Sequence, residues 1–221
     1  MENTIKPKYH LLIHNIIKPK NFGMLLRSAA AFGLDTIFLI SKDVEEKKKS
    51  KILKNFALFF GDKGTTRKLK YEVFTSIKEA HTYFKANEIY VVGVEIGHGA
   101  KNIHTKPFNG ETVFVMGNEG EGLIPALKKI CDYFVYIPQY TNKTASLNVS
   151  IAGSIIFHHF ASWAGYDETA MIGEKFQDPE NKPNTTFLHF KIHGEEENKL
   201  KAGESNNNKS GENLNNPDET G

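Results

Sequence analysis

The chain has 221 residues, 39% hydrophobic and 24% charged, with a net charge of +2 and one cysteine, Cys131. This is an ordinary globular composition, and it excludes an intramolecular disulfide framework and a cysteine-based zinc site. No run reaches the ~18 apolar residues that cross a bilayer, and the opening segment lacks the marks of a signal peptide, so a cytoplasmic or nuclear protein with no membrane or metal role is expected. The charge is uneven. Residues 195–221 hold three Lys against seven Asp and Glu, which leaves +6 on the preceding body. A moderately basic body suits nucleic acid but does not prove it. Only Arg27 and Arg67 are arginines, against 26 lysines.

In chain order, His10–Ile13 predicts a short apolar strand, and Phe22–Phe32 a helix with Asn21 at its N-cap and Gly33 at its C-terminal end. Thr36–Ile40 predicts a buried strand. A Lys-rich stretch (Lys47–Lys54) and a Gly61 to Gly64 loop follow, then a strand over Tyr71–Phe74. Ser76 is placed to cap a helix over Ile77–Ala86. Ile89–Ile96 and Thr112–Met116 predict strands, Leu123–Cys131 a helix, and Tyr133–Ile137 another strand. Ser146–Ala164 predicts a long apolar helix with Ser146 as its N-cap. Residues 167–194 form an expected partly ordered extension, in which Thr186–Ile192 reads as an edge strand or a linear docking segment. Residues 195–221, rich in Asn and Glu with almost no aliphatic side chain, predict a disordered tail. Residues 1–166 thus form an α/β domain whose alternation predicts a mostly parallel sheet with helices on both faces. Such sheets bind ligands past the carboxyl ends of their strands.

Three of those strand ends carry candidate chemistry. After the first strand, Asn15 through Ala29 places Arg27 among apolar and small residues. It reads either as a helix-edge side chain reaching solvent or as an anion ligand. After the Thr112 strand comes Met116-Gly117-Asn118-Glu119-Gly120-Glu121-Gly122. Its glycines permit a tight turn and close approach of a ligand, or serve only the turn. The spacing is neither the dinucleotide fingerprint nor a P-loop, and its two Glu oppose a phosphate. After the Tyr133 strand, Ile137-Pro138-Gln139 leads through a polar loop to Ser146-Leu147-Asn148, where the plain alternative is a capped, buried helix.

Together and in this order the three segments resemble the SpoU (TrmH) family of RNA ribose 2′-O-methyltransferases, within the SPOUT superfamily. The resemblance covers about residues 8–165. It implies an α/β fold with a C-terminal deep trefoil knot, S-adenosyl-L-methionine as cofactor, and methyl transfer to a ribose 2′-hydroxyl in structured RNA (tRNA or rRNA). It implies Arg27 as the central catalytic residue, completed by Asn21, Glu119, Ser146 and Asn148. The cofactor residues it implies are Met116, Gly117, Asn118, Gly122, Ile137, Pro138, Gln139, Ser146 and Leu147. Gln139 stands where Met is frequent in the family. The resemblance further implies a homodimer with RNA near the subunit boundary. A catalytically silent RNA-binding member and a Rossmann-type nucleotide enzyme are the competing readings.

Overall fold

The computed structural model describes residues 5–14, 19–41, 69–117, 122–171, 173 and 189–193. The Lys-rich stretch, the Gly61 to Gly64 loop and the acidic tail lie outside these residues. The elements are β1 (Tyr9–Ile13), α1 (Pro19–Ala31), β2 (Thr36–Ile40), β3 (Lys70–Phe74), α2 (Ile77–Ala86), β4 (Tyr90–Val94), β5 (Lys101–Asn102), β6 (Thr112–Met116), α3 (Pro125–Lys128), β7 (Tyr133–Tyr136), α4 (Val149–Ala164) and β8 (His189–Ile192).

The eight strands form one sheet in the order β5-β7-β4-β6-β1-β2-β3-β8. All seven pairings are parallel. The expected mostly parallel sheet is therefore parallel throughout the described residues. Chain order runs outward from β1 through β2 and β3 to β8, and on the other side β6 is inserted between β1 and β4, with β7 and then β5 beyond β4. The order therefore changes direction around β6 and β4, and such sheets open a crevice past the carboxyl ends of strands where the order reverses.

Alternation along the strands sorts two cores. Tyr9, Leu11 and Ile13 of β1 join Phe22, Leu25 and Leu26 of α1 and Phe157 and Phe160 of α4 on one face. Leu12 points the other way, to Phe38, Phe84 of α2 and Leu127 of α3. Burial on both faces explains why β1 and β6 are fully buried along their length. The α1–α4 side is the more aromatic. Phe160 packs on Tyr9, Phe108, Phe114 and Trp163 with ring centroids 5.3, 5.0, 5.8 and 5.2 Å away. Burial of one such ring contributes roughly 1.5–3 kcal/mol. Buried Tyr9 donates its hydroxyl to the Ala29 carbonyl at 2.6 Å. Gly153 lets the helices close, since a Cβ there would sit 2.3 Å from Leu25 Cδ1.

Several element ends differ from expectation for local reasons. Helix α1 starts at Pro19, whose fixed φ suits a first helical position, so Asn21 lies inside the first turn and is not the cap. Helix α3 is four residues long. Pro125 holds Ile124 extended (φ −64°, ψ 151°), which stops the helix from starting at Leu123. The cap of α4 is Asn148, not Ser146: its side chain accepts from the Ser150 N–H at 2.9 Å. Strand β4 ends at Val94, short of the predicted Ile96. The two-residue strand β5 is too short to show a period in the sequence.

Of the two readings for Thr186–Ile192, the described part is an edge strand, with β8 pairing along β3. His193 anchors it. Its Nε2 lies 2.6 Å from Glu72 Oε2, and its ring stacks on Phe74 at 4.3 Å. None of the described helices is long and apolar enough to cross a membrane.

Candidate functional site

Past the carboxyl ends of β4, β6 and β7 lies a cavity of about 570 Å³. Its walls come from Val94 to Ile96 after β4, Met116, Gly117 and Gly122 around the glycine loop, and Tyr136, Ile137 and Gln139 after β7. The loop and first turn before α4, Ala145 through Val149, close it together with Ala152 and with Asn21 from α1. Three segments far apart in the chain therefore share one crevice because β6 lies beside β4, and β4 beside β7.

The glycine loop is closed at its base by backbone packing. A Cβ on Gly117 would lie 3.0 Å from the Gly122 backbone. Gly122 has φ +68°, a conformation side chains resist, and a Cβ there would meet Glu95 Oε1 at 3.0 Å. Asn118 and Glu119 lie outside the described residues.

Asn148 links the first motif to the third. Its Oδ1 accepts from Ser150 N and Oγ at 2.9 and 2.6 Å, which fixes the amide's orientation. Its Nδ2 then donates to Asn21 Oδ1 at 3.1 Å. Ser146 is exposed on the loop, and its carbonyl accepts from Thr144 Oγ1 at 3.0 Å. Gln139 donates to the Ala145 carbonyl at 3.4 Å, and its buried Oε1 has no donor among the described residues.

Of the expected cofactor residues, Met116, Gly117, Gly122, Ile137, Gln139, Ser146 and Leu147 line the cavity, and Pro138 does not. Of the expected catalytic residues, Asn21, Ser146 and Asn148 line it. Arg27 does not: it is exposed on α1. The helix explains this. Six residues beyond Asn21, Arg27 is about 9 Å further along the axis and about 240° round it. Phe22, Leu25, Leu26 and Ala29 hold the buried seam between.

Glu95 was missed in the sequence because it sits in the apolar run read as one strand. The available signal was a carboxylate interrupting that run near the carboxyl end of a parallel strand. Its Oε1 accepts from Lys128 Nζ at 2.8 Å.

The wall chemistry selects among ligands. No Lys, Arg or His lines the cavity among the described residues. That is a poor cradle for a pyrophosphate, which anion sites meet with cations or clustered N–H groups. Apolar Met116, Ile137 and Leu147 beside amide and carboxylate oxygens suit a nucleoside with a neutral or cationic appendage. The unpartnered Gln139 oxygen is consistent with such a guest, which would bring its own N–H and O–H donors. No group of three metal-binding side chains occurs among the described residues. Cys131 is no candidate nucleophile: burial, then Asp132 and Glu95, push its thiol up to about 12.

Comparison with known proteins agrees with this layout. A 23S rRNA (guanosine-2′-O-)-methyltransferase, RlmB, of Acinetobacter baylyi is 30% identical over 149 residues, 67% of this chain and 57% of that protein. The RlmB of Neisseria meningitidis is 25% identical over 71% of this chain and 59% of its own length. The chain thus spans less than two thirds of these relatives. Among solved structures, the SpoU methyltransferase AviRb of Streptomyces viridochromogenes superposes with a TM-score of 0.58 at 24% identity, over 73% of this chain and 62% of that one. A TrmH-family protein of Porphyromonas gingivalis gives 0.58 at 21% identity, over 71% and 60%. These two likenesses show the α/β fold. The model of the SpoU rRNA Methylase family matches residues 8–158, which span every wall of the cavity. By that match, the chain belongs to the SpoU rRNA methylase family.

Proposed function

We propose that the protein transfers a methyl group from S-adenosyl-L-methionine to a ribose 2′-hydroxyl of structured RNA. The observation that carries this reading is the single cavity shared by all three family motifs, with Asn148 of the third bonded to Asn21 of the first. The relatives named for 23S rRNA guanosine make ribosomal RNA the first substrate to test, with tRNA second.

When bound, S-adenosylmethionine supplies an electrophilic methyl group on a sulfonium. Met116, Gly117, Gly122, Ile137, Gln139 and Leu147 would hold it, with Asn118 and Pro138 as further family positions. A ribose hydroxyl is a weak nucleophile near pH 7, so positioning must supply much of the rate. Asn21, Asn148 and Ser146 stand at the cavity as neutral hydrogen-bonding groups that can orient the hydroxyl, and Glu119 completes the proposed set. Arg27, on the outer side of α1, suits the RNA phosphate, which its planar fork binds bidentately.

A homodimer is part of the proposal. Helix α4 is apolar around most of its circumference, and Ile151 is 46% exposed, a surface that a second copy would cover. So is a deep trefoil knot in the C-terminal segment of the domain, as the family resemblance implies. The protein is expected in the cytoplasm with its RNA.

The test is transfer of a labelled methyl group to total RNA by wild type, Arg27→Ala and Asn148→Ala. Incorporation by wild type that falls at least tenfold in both variants supports the reading. No incorporation into any RNA pool by wild type removes the activity. Equal incorporation by Arg27→Ala removes that residue from the mechanism.

A further inference from the structure

Glu95 is the first residue beyond β4. Its N–H donates to the Val135 carbonyl at 3.1 Å, so the backbone is tied to β7 where the strand ends. Its side chain forms part of the cavity wall and is 24% exposed. On one flank the absence of a Cβ at Gly122 leaves room for the carboxylate against the glycine loop. On the other, Lys128 at the end of α3 holds Oε1 at 2.8 Å.

A carboxylate has about four lone-pair sites, of which Lys128 takes one. The remaining sites ask for donors, and two classes are available on an adenosyl amino acid: ribose hydroxyls and an ammonium. The Lys128 ammonium decides between them. It already neutralises the carboxylate, and a second cation would meet a like charge close by. Hydroxyl donors meet no such repulsion, and a vicinal diol matches the acceptor pattern. An acid just beyond a strand end is also the device by which other open α/β sheets hold a nucleoside ribose.

We propose that Glu95, oriented by Lys128, accepts hydrogen bonds from the ribose hydroxyls of the adenosyl ligand and selects for an intact ribose. This rests on the cofactor reading above. Glu95 is a specificity residue for the cofactor, distinct from the groups that face the RNA.

The experiment is calorimetric binding of S-adenosylhomocysteine, its 2′-deoxy and 3′-deoxy ribose analogues, and 5′-methylthioadenosine, to wild type, Glu95→Gln and Glu95→Ala. A hydrogen bond to a charged group is worth about tenfold or more in affinity. Wild type is expected to prefer S-adenosylhomocysteine over at least one deoxy analogue by about that factor. Glu95→Ala should lose the preference, with Glu95→Gln between, because the amide keeps one acceptor. Both variants should weaken 5′-methylthioadenosine by the same factor as S-adenosylhomocysteine. A wild type that binds the intact and both deoxy ligands equally overturns the proposal and leaves the cofactor reading standing. So does an unchanged preference in Glu95→Ala. An effect confined to S-adenosylhomocysteine assigns the carboxylate to the ammonium and also overturns it. Failure of wild type to bind any of the four ligands overturns the cofactor reading itself.

Discussion

Asn148 Nδ2 donates to Asn21 Oδ1 at 3.1 Å across 127 residues of sequence, while the Asn148 Oδ1 caps α4. One side chain therefore starts the last helix of the domain and ties it to the first. The two roles can be separated. Asn148→Asp keeps the capping oxygen and loses the donor, so the melting temperature should stay near wild type while methyl transfer falls at least tenfold. Asn148→Ala loses both, and should also cost about 1 kcal/mol of stability. Thermal melts beside transfer rates check this. Full activity in Asn148→Asp would show the Asn148 amide donor to be dispensable.

Gly117→Val is expected to weaken S-adenosylhomocysteine at least tenfold. Its Cβ would begin 3.0 Å from the Gly122 backbone, so the loop has to open and the cavity wall with it. Calorimetry checks this. Unchanged affinity would separate the loop from the ligand.

Ile151→Asp places a charge on the exposed side of α4, at an isoleucine that is 46% exposed. It should shift the protein from dimer to monomer in light scattering at micromolar concentration. Because the residue is not in the α1–α4 seam, the melting temperature at high dilution should hardly change. A wild-type monomer would end the dimer proposal.

Cys131 should react slowly with a maleimide in the native state. Burial first, then the nearby Asp132 and Glu95 carboxylates, push its thiol up to about 12, and only the thiolate attacks. The sign is upward, so little thiolate forms at pH 8. Labelling should accelerate by at least tenfold on unfolding in guanidinium. Equal rates in both states would contradict the half-buried, neutral thiol.

Much of the site was legible because it depends on local chemistry. Glycines mark the turn after β6, and Gly122 does adopt φ +68°. Ile137 through Asn148 sits at a strand-to-helix junction, where a loop faces the crevice. What stayed hidden depended on rotation and competition. Asn21 looked like a cap until Pro19 claimed the first position, and Ser146 lost the cap of α4 to Asn148, whose oxygen reaches Ser150.

By itself the sequence determined the alternation of strand and helix, the burial of both sheet faces and the identity of the three loops. Each of these is written in the residues that compose it. The tertiary structure decided who meets whom. Inserting β6 between β1 and β4 brings Glu95 to the glycine loop and Asn21 to Asn148, and the pitch of α1 turns Arg27 away from that cavity. Strand neighbours are chosen by the packing of the whole core, and no short stretch of chain encodes that choice.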